Sequence, residues 1–218
     1  MSPCCSGACT AAERHFDARR AERDMNRYRK KGPDPTTRLL REGLEAGTTL
    51  EGTLLDVGAG VGPLTFELLD AGIASAIAVD ASPASIAAGR VEAARLNISE
   101  RIEWHSGDFV DLAEDLPVAD TVTLDRVVCC YAAVEPLLGQ ALRRARHSVA
   151  LSYPRDRWYV RTTMSLQNTL RRIRGDLFRT FVHAPDSMED FIRTRRFDLV
   201  SRSSTLAWTA DVYARVRS

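Results

Sequence analysis

The chain has 218 residues, 44% of them apolar, enough for one sizeable core and most simply read as one domain. Lysine and arginine total 30 against 29 acidic residues, so the net charge is near zero and only its distribution along the chain is informative. The sequence has no apolar run long enough for a membrane helix and no charged, apolar leader, and its five cysteines fall in an odd, unframed pattern; we expect a reduced, cytoplasmic protein.

Ala11 to Lys31 is rich in alanine and charge, with Phe16, Met25 and Tyr28 as a thin apolar stripe, the pattern of a helix that gains stability by docking; Gly32-Pro33 stops it. Residues 1–33 are therefore read as a tail and helix that form a candidate lid, and residues 34–218 as one domain. Asp34-Pro35-Thr36-Thr37 starts a second helix through about Ala46. A strand is expected over 53–57, a helix over 63–71, a strand over 76–80, and a helix from Ser82-Pro83 to about Leu96. A third strand follows over 101–105, a helical turn over 111–115, and a fourth strand over 119–124 with an apolar continuation to Tyr131. Helix 135–146, strand 147–153, a long basic helix over 158–174, a helix near 187–195 and two alternating stretches around 198–205 and 207–216 complete the chain. Alternating strands and helices with nearly continuous apolar strands predict an α/β fold, a mostly parallel sheet covered on both faces.

The densest local signal is residues 52–62, Gly-Thr-Leu-Leu-Asp56-Val-Gly58-Ala59-Gly60-Val-Gly62, an apolar run closing on an acid and three alternating glycines. A strand-to-helix turn that touches a ligand with its backbone needs positive φ and no Cβ in the way. Ala76-Ile-Ala-Val79 then delivers Asp80 and Ala81, placing an acid at a strand tip where two ribose hydroxyls can donate to it, roughly the spacing of dinucleotide folds. That spacing leaves NAD and S-adenosylmethionine both open. The position three after Gly60 is Pro63, so the glycines depart from the dinucleotide fingerprint G-x-G-x-x-G.

The pattern D-x-G-x-G-x-G resembles motif I of the class I S-adenosylmethionine-dependent methyltransferases, and Gly107-Asp108-Phe109 is similar to that family's adenine segment. The resemblance spans about residues 36–153. It implies a three-layer Rossmann-like methyltransferase fold, with a mostly parallel seven-stranded sheet, an antiparallel last strand and an N-terminal helical cover. It also implies cofactor contacts from Asp56, Gly58, Ala59, Gly60, Gly62, Asp80, Ala81, Asp108, Phe109 and Asp125, with Asp56 facing the amino end of the methionine and Asp108 the adenine amino group. Tyr28-Arg29-Lys30-Lys31-Gly32-Pro33, Leu124 to Tyr131 and Tyr153 to Trp158 resemble a bacterial subgroup of these enzymes similar to magnesium-protoporphyrin O-methyltransferase.

Ligands of such folds sit outside the carboxyl ends of parallel strands. Tyr131 and His183 are the catalytic candidates, and Tyr28, Cys130, Tyr153 and Arg155 the candidates for binding substrate. Many relatives carry histidine near the place of Cys130, so a histidine base there is not expected; methyl transfer to a carboxylate needs none. Residues 51–142 carry 15 acidic and 4 basic side chains, whereas residues 143–218 carry 7 and 16. An acidic cofactor half suits a cationic sulfonium, and a basic half suits an anionic acceptor. The leading expectation is transfer to an oxygen of a small anionic molecule, with no metal, because Cys4, Cys5 and Cys9 lack a zinc-like spacing. The alternatives are a silent S-adenosylmethionine-binding or scaffold protein and a nucleic-acid methyltransferase. Against the latter, the chain lacks the Asn/Asp-Pro-Pro-Tyr/Phe type of motif after the fourth strand.

Overall fold

A computed structural model describes residues 14–216. Cys4, Cys5, Cys9 and the first residues of the helix expected from Ala11 lie outside the described residues. Helix α1 spans Ala18–Lys31; the Asp17 carboxylate caps it by accepting from the Arg20 N–H at 2.9 Å, and Gly32, at φ +73°, ends it. Helix α2, Pro35–Gly47, has proline in its first turn and buries Leu40 and Leu44 completely.

Strand and helix then alternate as β1 (Thr53–Val57), α3 (Pro63–Asp70), β2 (Ser75–Asp80), α4 (Pro83–Arg95), β3 (Ile102–Ser106), one-turn α5 (Phe109–Leu112), β4 (Ala119–Leu124), α6 (Val134–Arg144) and β5 (Ala145–Pro154). The chain continues with α7 (Trp158–Ile173), α8 (Pro185–Arg193), β6 (Phe197–Ser204) and β7 (Trp208–Arg215). The apolar continuation after β4 is not extended: Arg126 takes φ +61° and Val128–Cys130 form a 3₁₀ turn, which folds this segment back over the strand ends.

The seven strands lie in the order β3-β2-β1-β4-β5-β7-β6. β1 to β5 pair in parallel, and β7 is inserted antiparallel between β5 and β6. Because successive strand residues point to opposite faces, Leu54 and Leu55 feed different layers. Leu54, Ala76, Ala78, Ala150 and Val212 pack against α2 and α3 on one side. Leu55, Val79, Val122, Val149, Phe197 and Tyr213 pack against Leu137, Leu138 and Leu142 of α6 and Met188 and Ile192 of α8 on the other. Each leucine so buried contributes about 1.5–3 kcal/mol.

Helix α1 is pinned to the body by polar contacts. The Arg29 guanidinium donates to the fully buried Glu92 of α4 at 2.5 and 2.7 Å, and Arg95 donates to the same carboxylate at 2.7 Å. These two arginines hold the Glu92 carboxyl below its ordinary range against the opposing effect of burial.

Candidate functional site

A cavity of 590 Å³ opens at the carboxyl ends of the parallel strands, where ligands of open α/β sheets bind. Its floor is the glycine turn between β1 and α3. The N–H groups of Gly58 and Ala59 donate to the Val79 carbonyl at 2.7 and 3.0 Å, so the turn is folded tightly over the end of β2. Gly58, Gly60 and Gly62 all have positive φ, yet they differ in what surrounds them. A Cβ on Gly60 would meet nothing within 4 Å, whereas one on Gly62 would sit 2.7 Å from Phe66 and 3.0 Å from Trp104. Gly60 thus leaves a backbone cradle open to a ligand, and Gly62, which does not line the cavity, makes room for aromatic packing.

Asp80 sits beside this cradle and accepts from the Gly60 N–H at 2.8 Å through one oxygen and from the Ser82 N–H at 2.8 Å through the other. Burial raises its carboxyl and these two backbone donors offset part of the rise. Each oxygen retains acceptor capacity for a hydroxyl, as a ribose would need. Asp56 lies deeper, 1% exposed; its oxygens accept from Thr65 Oγ1 at 2.6 Å and Thr123 Oγ1 at 2.7 Å. Burial pushes its carboxyl up to about 6 despite both hydroxyls, with the nearby Asp125 and Asp80 charges adding to the rise.

Asp108 caps α5 by accepting from the Val110 N–H at 3.0 Å, and the same oxygen accepts from the Tyr131 hydroxyl at 2.6 Å. Phe109 is 2% exposed and lines the cavity beside it. Asp125 accepts from Thr37 Oγ1 and Ser152 Oγ, both at 2.6 Å, joining α2, β4 and β5 at the rim. Of the residues singled out from sequence, Asp56, Gly58, Ala59, Gly60, Asp80, Ala81, Asp108, Phe109, Asp125, Cys130 and Tyr131 line one cavity.

The others lie outside it. The Tyr28 hydroxyl donates to Glu67 at 3.1 Å, and burial raises its phenol. Tyr153 is 3% exposed and donates to the buried Asp211 at 2.7 Å, because its place on β5 turns it into the layer under α8. Arg155 is drawn to the β6–β7 turn, where it donates to the Thr205 carbonyl at 3.1 Å. His183 contacts the Tyr131 carbonyl through Nε2 at 2.9 Å, which places it behind the cavity wall.

The far wall holds residues that the sequence did not single out. Arg20 and Arg27 reach in from α1, Arg126 from the loop after β4, and Met164, Gln167 and Arg171 from α7. Arg27 and Arg126 share Asp34, whereas Arg171 donates to the neutral Asn168 and Thr180 at 3.2 and 3.3 Å and lies 5.3 Å over the Phe178 ring. His15 stacks on Phe178 with centroids 4.4 Å apart, Phe16 meets both rings edge-on, and Arg20 lies 4.7 Å over Phe16. His15 Nδ1 pairs with Asp176 at 2.7 Å, and the Phe16 carbonyl accepts from Ser82 Oγ at 2.6 Å, closing the chain over the β2 side of the cavity. The only sequence signals for this wall were the excess of arginine after residue 142 and Phe16 in the expected lid.

Known proteins agree with this geometry. Residues 54–150 match the family described as a methyltransferase domain. The chain is 40% identical over 92 residues to the ribosomal protein L11 methyltransferase of Pectobacterium carotovorum, covering 41% of this chain and 31% of that protein. It thus spans about a third of the length of the curated relatives it matches. Magnesium protoporphyrin IX methyltransferase from Synechocystis, solved with bound S-adenosylhomocysteine, superposes with a TM-score of 0.71 over 96% of this chain and all of that one, at 17% identity. An O-methyltransferase family protein from Burkholderia thailandensis gives 0.72 over 92% of this chain and 61% of that one, at 16% identity. Glycine cradle, acids at successive strand ends, strand order and domain match coincide on the same residues: residues 54–150 are similar to a methyltransferase domain, and the chain has the fold of these solved methyltransferases.

Proposed function

We propose that the protein transfers a methyl group from S-adenosylmethionine to an oxygen of a small anionic molecule, a carboxylate in the simplest case. The observation that carries this reading is the division of the cavity: the glycine cradle with Asp80, Asp108 and Phe109 on one side, and Arg20, Arg126, Arg171 and a three-ring aromatic cluster on the other. The cofactor supplies an activated methyl on a sulfonium. Gly60 and Asp80 hold the adenosyl portion, Asp108 and Phe109 border the adenine, and Asp56 and Asp125 keep the methionine end in an acidic surround. The arginines neutralise and orient the acceptor, and α1 with the His15–Phe16 latch covers the pocket and excludes water.

A carboxylate is already the nucleophile at neutral pH, so no side chain need remove a proton. Tyr131, tied to Asp108, and His183, behind the Tyr131 carbonyl, then act by positioning the wall; Cys130 borders the acceptor. The relatives named for ribosomal protein L11 raise a protein amine as the second reading. A cationic amine is disfavoured by Arg20, Arg27, Arg126 and Arg171 on this wall, whose four charges Asp24 and Asp34 balance only in part.

The test is methyl transfer from labelled S-adenosylmethionine into extracts. A carboxyl methyl ester releases labelled methanol in mild alkali, whereas label on nitrogen stays, and precipitation separates label on protein from label on a small molecule. Label confined to alkali-stable protein would reject the reading, and no transfer at all would favour a silent binding protein.

A further inference from the structure

Seven of the twelve large apolar side chains exposed among the described residues gather on α7, the turn after it, and the β6–β7 turn. Leu166, Leu170 and Ile173 recur at i, i+4 and i+7, being 59%, 43% and 75% exposed, and Leu177 extends the line beyond the helix. At the other end, the Tyr159 hydroxyl donates to the Leu206 carbonyl at 2.7 Å, bringing Leu206 and Trp158 to the same surface. Only Val160 of α7 is buried, while Met164, Gln167 and Arg171 face the cavity. One side of the helix therefore builds the site, and the other presents an apolar stripe to water. Single exposed leucines are ordinary, but a stripe at helical spacing calls for a cover.

Charge identifies the cover. From Arg155 to Arg179 the sequence holds seven arginines against two acids, Asp156 and Asp176. Asp156 pairs with Arg161, and Asp176 pairs with His15. A second groove, of 390 Å³, runs along the flank of α7 and is lined by Arg161, Arg172 and Arg179 together with Ser165, Asn168 and Thr169. Guanidinium and hydroxyl donors in one groove suit phosphate oxygens. Two copies joined across this face by a twofold axis would bring like charges together, which disfavours self-association here.

We propose that α7 is an interfacial helix that docks the protein on an anionic phospholipid surface. Leu166, Leu170 and Ile173 enter the boundary between headgroups and acyl chains, and Arg161, Arg172 and Arg179 hold lipid phosphates. The protein lies on the bilayer in this arrangement; no helix among the described residues is long and apolar enough to cross it. Docking sets the cavity wall formed by Met164, Gln167 and Arg171 about one helix diameter, roughly 10 Å, from the lipid. This surface is independent of which acceptor the cavity takes.

Flotation of the full chain with vesicles tests it. Binding is expected to vesicles of mixed phosphatidylglycerol and phosphatidylcholine, to weaken as salt rises, and to be far poorer with phosphatidylcholine alone. The double variant Leu166→Asp, Ile173→Asp should lose binding while keeping its affinity for S-adenosylhomocysteine, which shows that it is folded. Arg161→Gln with Arg172→Gln should weaken binding about twenty-fivefold, at roughly fivefold per arginine. Failure to bind anionic vesicles at low salt, or binding that the Leu166 and Ile173 changes leave intact, overturns the proposal. So does sedimentation showing a dimer that these apolar substitutions dissociate, since the stripe would then belong to a second copy.

Discussion

Gly60 and Gly62 look equivalent in sequence, both small and both at positive φ, yet their neighbours assign them different work. A methyl group on Gly62 would collide with Phe66 and Trp104 in addition to the left-handed strain, so Gly62→Ala should lower the melting temperature sharply. Gly60→Ala adds only the strain, about 1–2 kcal/mol, but fills the cradle; calorimetry should find its affinity for S-adenosylhomocysteine reduced out of proportion to its loss of stability. Asp80→Ala should cost the same ligand about 1–3 kcal/mol through lost charge-assisted hydrogen bonds, and unchanged affinity would place the ribose elsewhere. Asp56 carries a pH signature. Its carboxyl titrates near about 6 in the folded chain against 3.8 ordinarily, so the folded state holds the extra proton between those values. This group's contribution to stability therefore declines as pH rises through that window, and the difference in unfolding free energy between wild type and Asp56→Asn should show that slope. The placement of residues set by backbone conformation or strand position, such as Gly58, Gly60 and Asp80 on the cavity, was legible in the sequence. The roles expected of Tyr28, Tyr153 and Arg155 were not, because each is captured by a partner distant in the chain: Glu67, Asp211 and Thr205.

Among elements, β7 depends on a buried charge. Asp211 is fully buried, accepts from Arg202 at 2.7 and 2.8 Å, and also takes the Tyr153 and Tyr213 hydroxyls at 2.7 and 3.2 Å. The carboxylate holds the Arg202 guanidinium above its ordinary range. Asp211→Asn should destabilise the fold by about 2–4 kcal/mol, short of the full cost of an orphaned buried charge because Arg202 is 41% exposed and can hydrate. Thermal melting checks it, and a drop below about 2 °C would mean that packing alone holds the strand. The N-terminal latch contains a titratable imidazole. Burial lowers the His15 imidazole below 6.5; Arg20 and Arg171 reinforce this, and Asp176 opposes it. Docked His15 thus favours the neutral form, so docking is complete above that value and weakens as pH falls below it. Proteolysis between α1 and the body should accelerate below about pH 6.5 in the wild type and stay flat in His15→Phe. Helices and strands were readable from periodicity, glycine and proline, but the turn at Val128–Cys130 hid in an apolar run that also suits a strand.

At the scale of the molecule, one cavity is walled by α1, the β1–α3 turn, the β2 and β3 ends, the β4 loop and α7, which come from most of the chain. A ligand that joins them stabilises the whole cooperative unit. At about 100 times its Kd, S-adenosylhomocysteine should add about 2.7 kcal/mol and raise the melting temperature by roughly 5–10 °C in a single transition. A second transition left unmoved by the ligand would mean that one of these walls melts separately. The alternation of elements foretold the sheet and its two helical layers, whereas the cationic wall showed in the sequence only as an excess of arginine after residue 142, because it assembles when α1 and α7 meet across the strand ends. The strand order has a further consequence for synthesis. β6 pairs only with β7, and β7 must slide between β5 and the strand made just before it. While the nascent chain is still emerging, β6 therefore waits unpaired and β5 keeps a bare edge until Trp208–Arg215 have been translated, an interval in which a chaperone or a neighbouring polypeptide could occupy that edge.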